Sequence, residues 1–230
     1  ENIYKFILSK KNSFIFESVE KGIVRGRYTI IGFNPDKTYN IKNNKIIVDN
    51  FKKKKVIKKN ILKYLNDLFK NFKVKSSGDL PRMSSMLVGY FSYDIIRLIE
   101  KIPNKCKNDI DIPDIRLMRP RNLIIYDNVK KKIYFITNVF KEENISDYGA
   151  KYQSIKNTFA ELQYFGNIKL PENFHKTKSK NKVRSNVSKS KFKKNVLKAK
   201  NYIKKGDIFQ VVLSQRFEAT IDKPPLEIYN

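Results

Sequence analysis

Two polar side chains stand where an apolar strand is expected. In the run Ser13 to Val19 (SFIFESV), alternation puts Phe14, Phe16 and Ser18 on one face and Ile15, Glu17 and Val19 on the other. A carboxylate and a hydroxyl buried in such a strand need partners, because burying them unpaired is costly. The alternative is a strand end that emerges into water, where Glu17 and Ser18 are simply solvated, and the residues alone favour it. A second polar row lies near the other end of the chain. After Gly206 the apolar period becomes two, with Phe209, Val211, Leu213 and Phe217 facing one way and Gln210, Ser214 and Arg216 the other. A face of hydrogen-bonding side chains can border a polar pocket, and it can equally be the wet face of a half-buried sheet.

Self-contained catalytic signatures are missing. The chain has no Walker loop, no GxGxxG after a strand, no HExxH and no GxSxG. His175 is the only histidine and Cys106 the only cysteine, which is too few for the usual zinc ligand sets, and His175 sits in a polar, lysine-rich stretch that reads as solvated and does not point to a Ser-His-Asp triad. A lone cysteine also excludes a disulfide scaffold and fits a reducing cytoplasm. No apolar run is long enough for a membrane helix, and Glu1 to Lys5 lacks the layout of a signal peptide. The net charge is +27, which taken alone suggests a polyanionic partner. The excess is mostly lysine, spread along the chain, in a composition also rich in Asn and Ile. Codon bias produces such a composition without selection for a basic surface. Arginine, which reads bases and phosphates bidentately, is scarce.

The elements that must position these residues follow from periodicity. Gly26 to Phe33 begins a strand that can pair with Ser13–Val19 as an antiparallel hairpin. Tyr39–Ile41 and Ile46–Val48 form a second hairpin around Asn43-Asn44, where Asn tolerates positive φ. Lys52 to Lys55 reads as a solvated turn or edge. Ile61, Leu65, Leu68 and Phe72 make a helical stripe. Met86 to Phe91 is a strand, followed by a short helix capped by Ser92 or Asp94 and ending before Pro103. Asn122–Asp127 and Ile133–Phe140 are strands joined by a turn at residues 128–131, and Tyr152, Ile155, Phe159 and Leu162 mark another helix. Between Gly166 and Val187 the period disappears and Lys, Asn and Ser dominate. Phe192, Val196, Ala199 and Ile203 then form the stripe of a helix capped by Ser188 or Ser190 and stopped by Gly206. Antiparallel hairpins mixed with helices predict an α+β fold. The expected organisation is a domain over 1–165, a basic linker over 166–187, and the opening of a second, incomplete domain over 188–230. Both ends read as cut, so a fragment of a longer protein is expected.

Four blocks carry a resemblance. They are FESVEKGIVRGRYTIIGFNPD, GYFSYDIIRLIEKIP, IPDIRLMRPRNLIIYD and GDIFQVVLSQRFE, in that order. Together they resemble anthranilate synthase component I, with the linker where that family changes domain. The resemblance implies a lyase of tryptophan biosynthesis that converts chorismate and ammonia to anthranilate and pyruvate. A glutamine amidotransferase subunit (component II) would supply the ammonia. Mg2+ would be held by glutamates of the carboxy-terminal domain. The catalytic and metal residues would lie beyond Asn230, so the fragment would be inactive alone. In tryptophan-regulated members the ES pair of the first block helps to bind inhibitory tryptophan. Carried over, this implies Glu17 for the ammonium group and Ser18 for a polar group, with Phe16 beside them and Arg27 as a further wall. FIFES departs from the commoner leucine-rich form of the block. The nearest alternative is aminodeoxychorismate synthase component I, which acts on the same substrate but retains the pyruvate. A basic binding module is the alternative of another class.

Overall fold

The computed structural model describes residues 6, 10–18, 26–72, 78–105, 108–140, 142–143, 148–166, 182–221 and 228–229. Two long strands form the spine, β2 (Tyr28–Lys42) and β6 (Ile115–Asp127), paired antiparallel from Tyr28↔Asp127 to Ile41↔Ile115. Each spine strand carries two short strands end to end on its outer edge. On β2 these are β1 (Phe14–Phe16) and β3 (Lys45–Asp49), with β4 (Lys54–Ile57) outside β3. On β6 they are β5 (Val88–Phe91) and β7 (Lys132–Thr137). The result is a seven-stranded, wholly antiparallel sheet. With its flanking helices it gives the α+β fold expected from the sequence.

Local chemistry explains the turns and helices. Asn43 (φ 48) and Asn44 (φ 57) close the β2–β3 hairpin, both in the left-handed region that Asn accepts. Helix α1 (Ile61–Asn71) starts at Asn60, whose side chain accepts from Lys63 N–H at 3.0 Å. A short 3-10 helix (Tyr93–Leu98) follows β5 with Ser92 at its N-cap. Helix α2 (Tyr148–Gly166) meets β7 through an edge-on contact of Phe159 with Phe135, centroids 5.3 Å apart.

An extra residue in β2 sends its apolar side chains to two different faces. Pairing shifts between Pro35↔Pro120 and Lys37↔Arg119, which leaves Asp36 as a bulge. Beyond it Tyr39 and Ile41 join Ile46, Ile115 and Leu117 under Ile61 and Leu65 of α1. Before it Ile31 and Phe33 pack with Ile124 and Phe6. On β6, which has no bulge, Ile115 and Ile124 differ in parity, so the two cores lie on opposite faces of the sheet. Each fully buried Ile or Phe contributes roughly 2 kcal/mol from apolar burial.

The chain divides into two compact units, Glu1–Ile168 and Lys169–Asn230. The second holds helix α3 (Lys189–Lys204) and a two-stranded pair, β8 (Arg184–Ser185) with β9 (Phe217–Glu218). Ser188 caps α3 by accepting from Lys191 N–H, and Gly206 (φ 78) follows its end. The strand expected from Phe209 to Phe217 forms only at Phe217. Alternation gives a segment the capacity to pair, but a strand also needs a ladder partner. Among the described residues only Arg184–Ser185 supplies one, and Phe209 is 99% exposed.

Candidate functional site

The first polar row lies at the sheet edge beside β2. β1 is shorter than expected, and Glu17 and Ser18 follow it as exposed residues outside the strand. The apolar pattern survives in part. Phe14 and Phe16 share a face with their rings 4.9 Å apart, and Phe16 is 51% exposed. Val19 lies outside the described residues. Gly32 faces Phe14 across the β1–β2 pair, and a Cβ there would stand 2.0 Å from the Phe14 ring. The missing side chain is what lets that ring lie on the sheet.

Arg27 stands just before β2 and is tied to Asp127 at the end of β6. Its Nε donates to Oδ1 at 3.0 Å and its Nη2 to Oδ2 at 2.7 Å. Asp127 is 1% exposed and also accepts the backbone N–H groups of Val129 and Lys130. The Arg27 bonds hold its carboxyl well below the usual carboxylate range, burial opposes this, and the two backbone donors reinforce it. The guanidinium carbon sits 4.9 Å from the Tyr28 ring centroid. Of the four predicted residues, Phe16, Glu17 and Ser18 are therefore consecutive at one exposed edge. Arg27 is spent in part on a buried carboxylate.

A second ionic cluster was not anticipated from the sequence. Arg119 is 6% exposed, donates from Nε to Asp36 at 2.8 Å and from Nη1 to Glu142 at 3.3 Å, and stacks on Phe140. Arg121, on the same face by alternation, forks Glu143, which also takes Lys151 of α2 and the N–H of Phe140. Burial pushes the Tyr39 hydroxyl up to about 12, with Arg119 pulling the other way. The signal was present: Arg119 and Arg121 alternate within MRPR, and Asp36 follows a proline in the opposing block. The two buried pairs, Arg27–Asp127 and Asp36–Arg119, both join the first sequence block to the third along the β2–β6 spine.

A shallow cleft between β7 and α2 is lined by Phe33, Phe135, Ile155, Thr137 and Asn122. Thr137 Oγ1 donates to Asn122 Oδ1 at 2.9 Å and Thr158 Oγ1 to Ser154 O at 2.9 Å, and the cleft contains none of the predicted residues.

In the second unit, Arg216 of the polar row after Gly206 is used locally, as is the neighbouring Gln215. The backbone of Arg216 exchanges hydrogen bonds with Asn186, its Nε donates to Glu218 at 2.6 Å, and Ser185 donates to Gln215. Among the described residues no three His, Cys, Asp or Glu side chains gather to hold a metal ion. Cys106 and His175 lie outside the described residues. No helix among the described residues is long and apolar enough to cross a membrane.

Comparison with known proteins agrees with this architecture. The family model for chorismate binding enzymes matches residues 11–230. Anthranilate synthase component 1 of Acetivibrio thermocellus is 36% identical over 99% of the chain and 47% of that protein. The protein of the same name from Bacillus subtilis (strain 168) is 33% identical over 96% of the chain and 45% of its own length. The crystal structure of anthranilate synthase component I from Streptococcus pneumoniae TIGR4 superimposes with a TM-score of 0.73 at 25% identity. That match covers 100% of this chain and 49% of the other. The chain spans about half the length of the curated relatives it matches. Its blocks, its antiparallel spine and these likenesses place it together with them: the chain belongs to the family of chorismate binding enzymes.

Proposed function

We propose that these residues form the amino-terminal half of an anthranilate synthase component I and carry its tryptophan-sensing site. The observation that carries the reading is the 36% identity to a component 1 along almost the entire chain, with the first and third quoted blocks meeting along the paired spine strands. The complete enzyme converts chorismate and ammonia to anthranilate and pyruvate in the cytoplasm. A component II subunit releases the ammonia from glutamine. Residues 1–165 act as the regulatory domain, 166–187 as a linker, and 188–230 open the chorismate-binding domain.

The described residues do not assemble a set of ligands for a hard cation, so no metal step is assigned to them. Mg2+ belongs with carboxylates of the remaining half, where it would neutralise the anionic substrate. This half contributes recognition. Glu17 meets the ammonium group of tryptophan and Ser18 a polar group, with Phe16 offering an exposed ring beside them.

The test uses the complete chain with chorismate, ammonia and magnesium, following anthranilate fluorescence and pyruvate release together. Equal amounts of both products are expected. Consumption of chorismate without pyruvate would assign the chain to aminodeoxychorismate synthesis, and no consumption by a folded protein would overturn the enzymatic reading.

A further inference from the structure

The outer hairpin of the sheet, β3 with β4, ends in a tip from Asn50 to Lys53, closed by the Asp49↔Lys54 pair. Side chains hold this tip in shape. Asp49 Oδ1 accepts the N–H of Phe51 at 2.8 Å, and Asn50 Oδ1 accepts those of Lys52 at 3.2 Å and Lys53 at 2.7 Å. Phe51 has φ 65, in the left-handed region that a bulky side chain rarely takes, and is 50% exposed. Around it, residues 45–59 carry seven lysines, all exposed, and a single carboxylate, Asp49. That carboxylate is already engaged by the Phe51 N–H and lies 3.7 Å from Lys54 Nζ.

Two ordinary roles account for the lysines. On an outer strand they deter edge-to-edge pairing with another sheet, and the codon bias that enriches lysine along the chain supplies them. Neither role asks for an aromatic ring at the tip. The same composition is rich in Asn, which takes positive φ at little cost. At Asn12, Asn34, Asn43 and Asn44 the chain uses it in that way. Phe51 is the one aromatic residue with positive φ among the described residues, held there by hydrogen bonds from its own turn.

We propose that the β3–β4 tip is a docking element for the glutamine-hydrolysing subunit, with Phe51 entering an apolar pocket on a face whose rim is acidic. The inference rests on the reading of the chain as component I. An aromatic anchor within a charged rim is the anatomy of a protein interface. The lysines attract an acidic face at long range and raise the rate of encounter. Such steering serves a subunit that arrives by diffusion, whereas a segment of the same chain is already tethered. The turn fixes the backbone of the anchor before the partner arrives, so less order has to be imposed on binding.

The experiment titrates the complete component I with its component II subunit and follows anthranilate formed from chorismate, once with glutamine and once with ammonia. Only the glutamine reaction needs the partner. Phe51→Asn removes the ring and puts a residue suited to positive φ in its place, so the variant folds at least as stably as the parent. It is expected to raise the component II concentration giving half the maximal glutamine-driven rate by about tenfold or more, with the ammonia-driven rate unchanged. Lys53→Glu combined with Lys55→Glu should raise that concentration by about threefold or more and flatten its dependence on salt. Parent-like titrations for Phe51→Asn, or equal losses of the glutamine- and ammonia-driven rates, would overturn the proposal. So would a parent-like titration accompanied by lost sedimentation with phosphatidylserine vesicles, which would assign the ring to a membrane surface. If Phe51→Asn does not fold, the lysine variant decides by the same two rates. Unaltered titrations beside a normal ammonia-driven rate sink this inference alone. A parent with no ammonia-driven rate removes the enzymatic reading and this inference with it.

Discussion

The guanidinium of Arg119 lies 3.7 Å from the centroid of the Phe140 ring while its Nε donates to Asp36 at 2.8 Å. Asp36 is the bulged residue that sends the apolar side chains of β2 to two faces, so this contact anchors the irregularity on which both cores depend. Arg119→Ala leaves a carboxylate with 10% side-chain exposure and no cation. The expected cost is about 3 kcal/mol. Denaturant melts of the complete enzyme check it. A change within about 0.5 kcal/mol, the range of ordinary surface substitutions, would show the pair to be dispensable.

Acid should weaken the first unit in a defined direction. Arg121 holds the Glu143 carboxyl down from 4.5 to about 2, against burial and with help from Phe140 N–H and Lys151. For Glu142, burial works upward, but Lys37 and Arg119 bring it down to about 2 as well. These groups have depressed pKa values in the folded state. The unfolded chain therefore binds more protons between the two values, and stability rises with pH there. The contribution is complete above about pH 5 and is lost as pH falls toward 2. Urea midpoints measured across that window should fall in the parent and fall less in Arg121→Gln, which already lacks the Glu143 fork. A flat parent profile would contradict the assignment.

Two glycines should behave differently on substitution. At Gly32 an added Cβ meets the Phe14 ring, which can move away; at Gly89 it meets the backbone oxygen of Arg116 at 1.8 Å, which cannot. Gly32→Ala is expected to cost about 1–3 kcal/mol and to be partly rescued by Phe14→Leu. Gly89→Ala should cost more and gain nothing from trimming neighbouring side chains. Equal, unrescued losses in equilibrium unfolding would refute the distinction.

The sequence made the hairpins and helices legible where a local rule governs them. Asn43-Asn44, the Ile61/Leu65 stripe and the Ser188 cap each rest on a few neighbouring residues. The length of the spine was not legible: the period marked Gly26–Phe33, Tyr39–Ile41 and Asn122–Asp127 as separate pieces. Pro35 and Pro120, a residue type that cannot donate to a ladder, face each other at the bulge inside two continuous strands. The segment from Phe209 failed in the opposite sense, because alternation without a partner does not make a strand. For the site, the exposed edge at Phe16–Ser18 was visible as an odd polar pair. The Arg27–Asp127 fork spans residues far apart in the chain, and no local pattern announces it.

The most direct measurement compares tryptophan inhibition of anthranilate formation in the complete enzyme and its Ser18→Phe variant, each relative to its own rate without tryptophan. A bulky ring at the exposed edge should fill the space the ligand needs and raise the half-inhibiting concentration by about tenfold or more. Superimposable inhibition curves would contradict the placement of the regulatory site at Glu17 and Ser18.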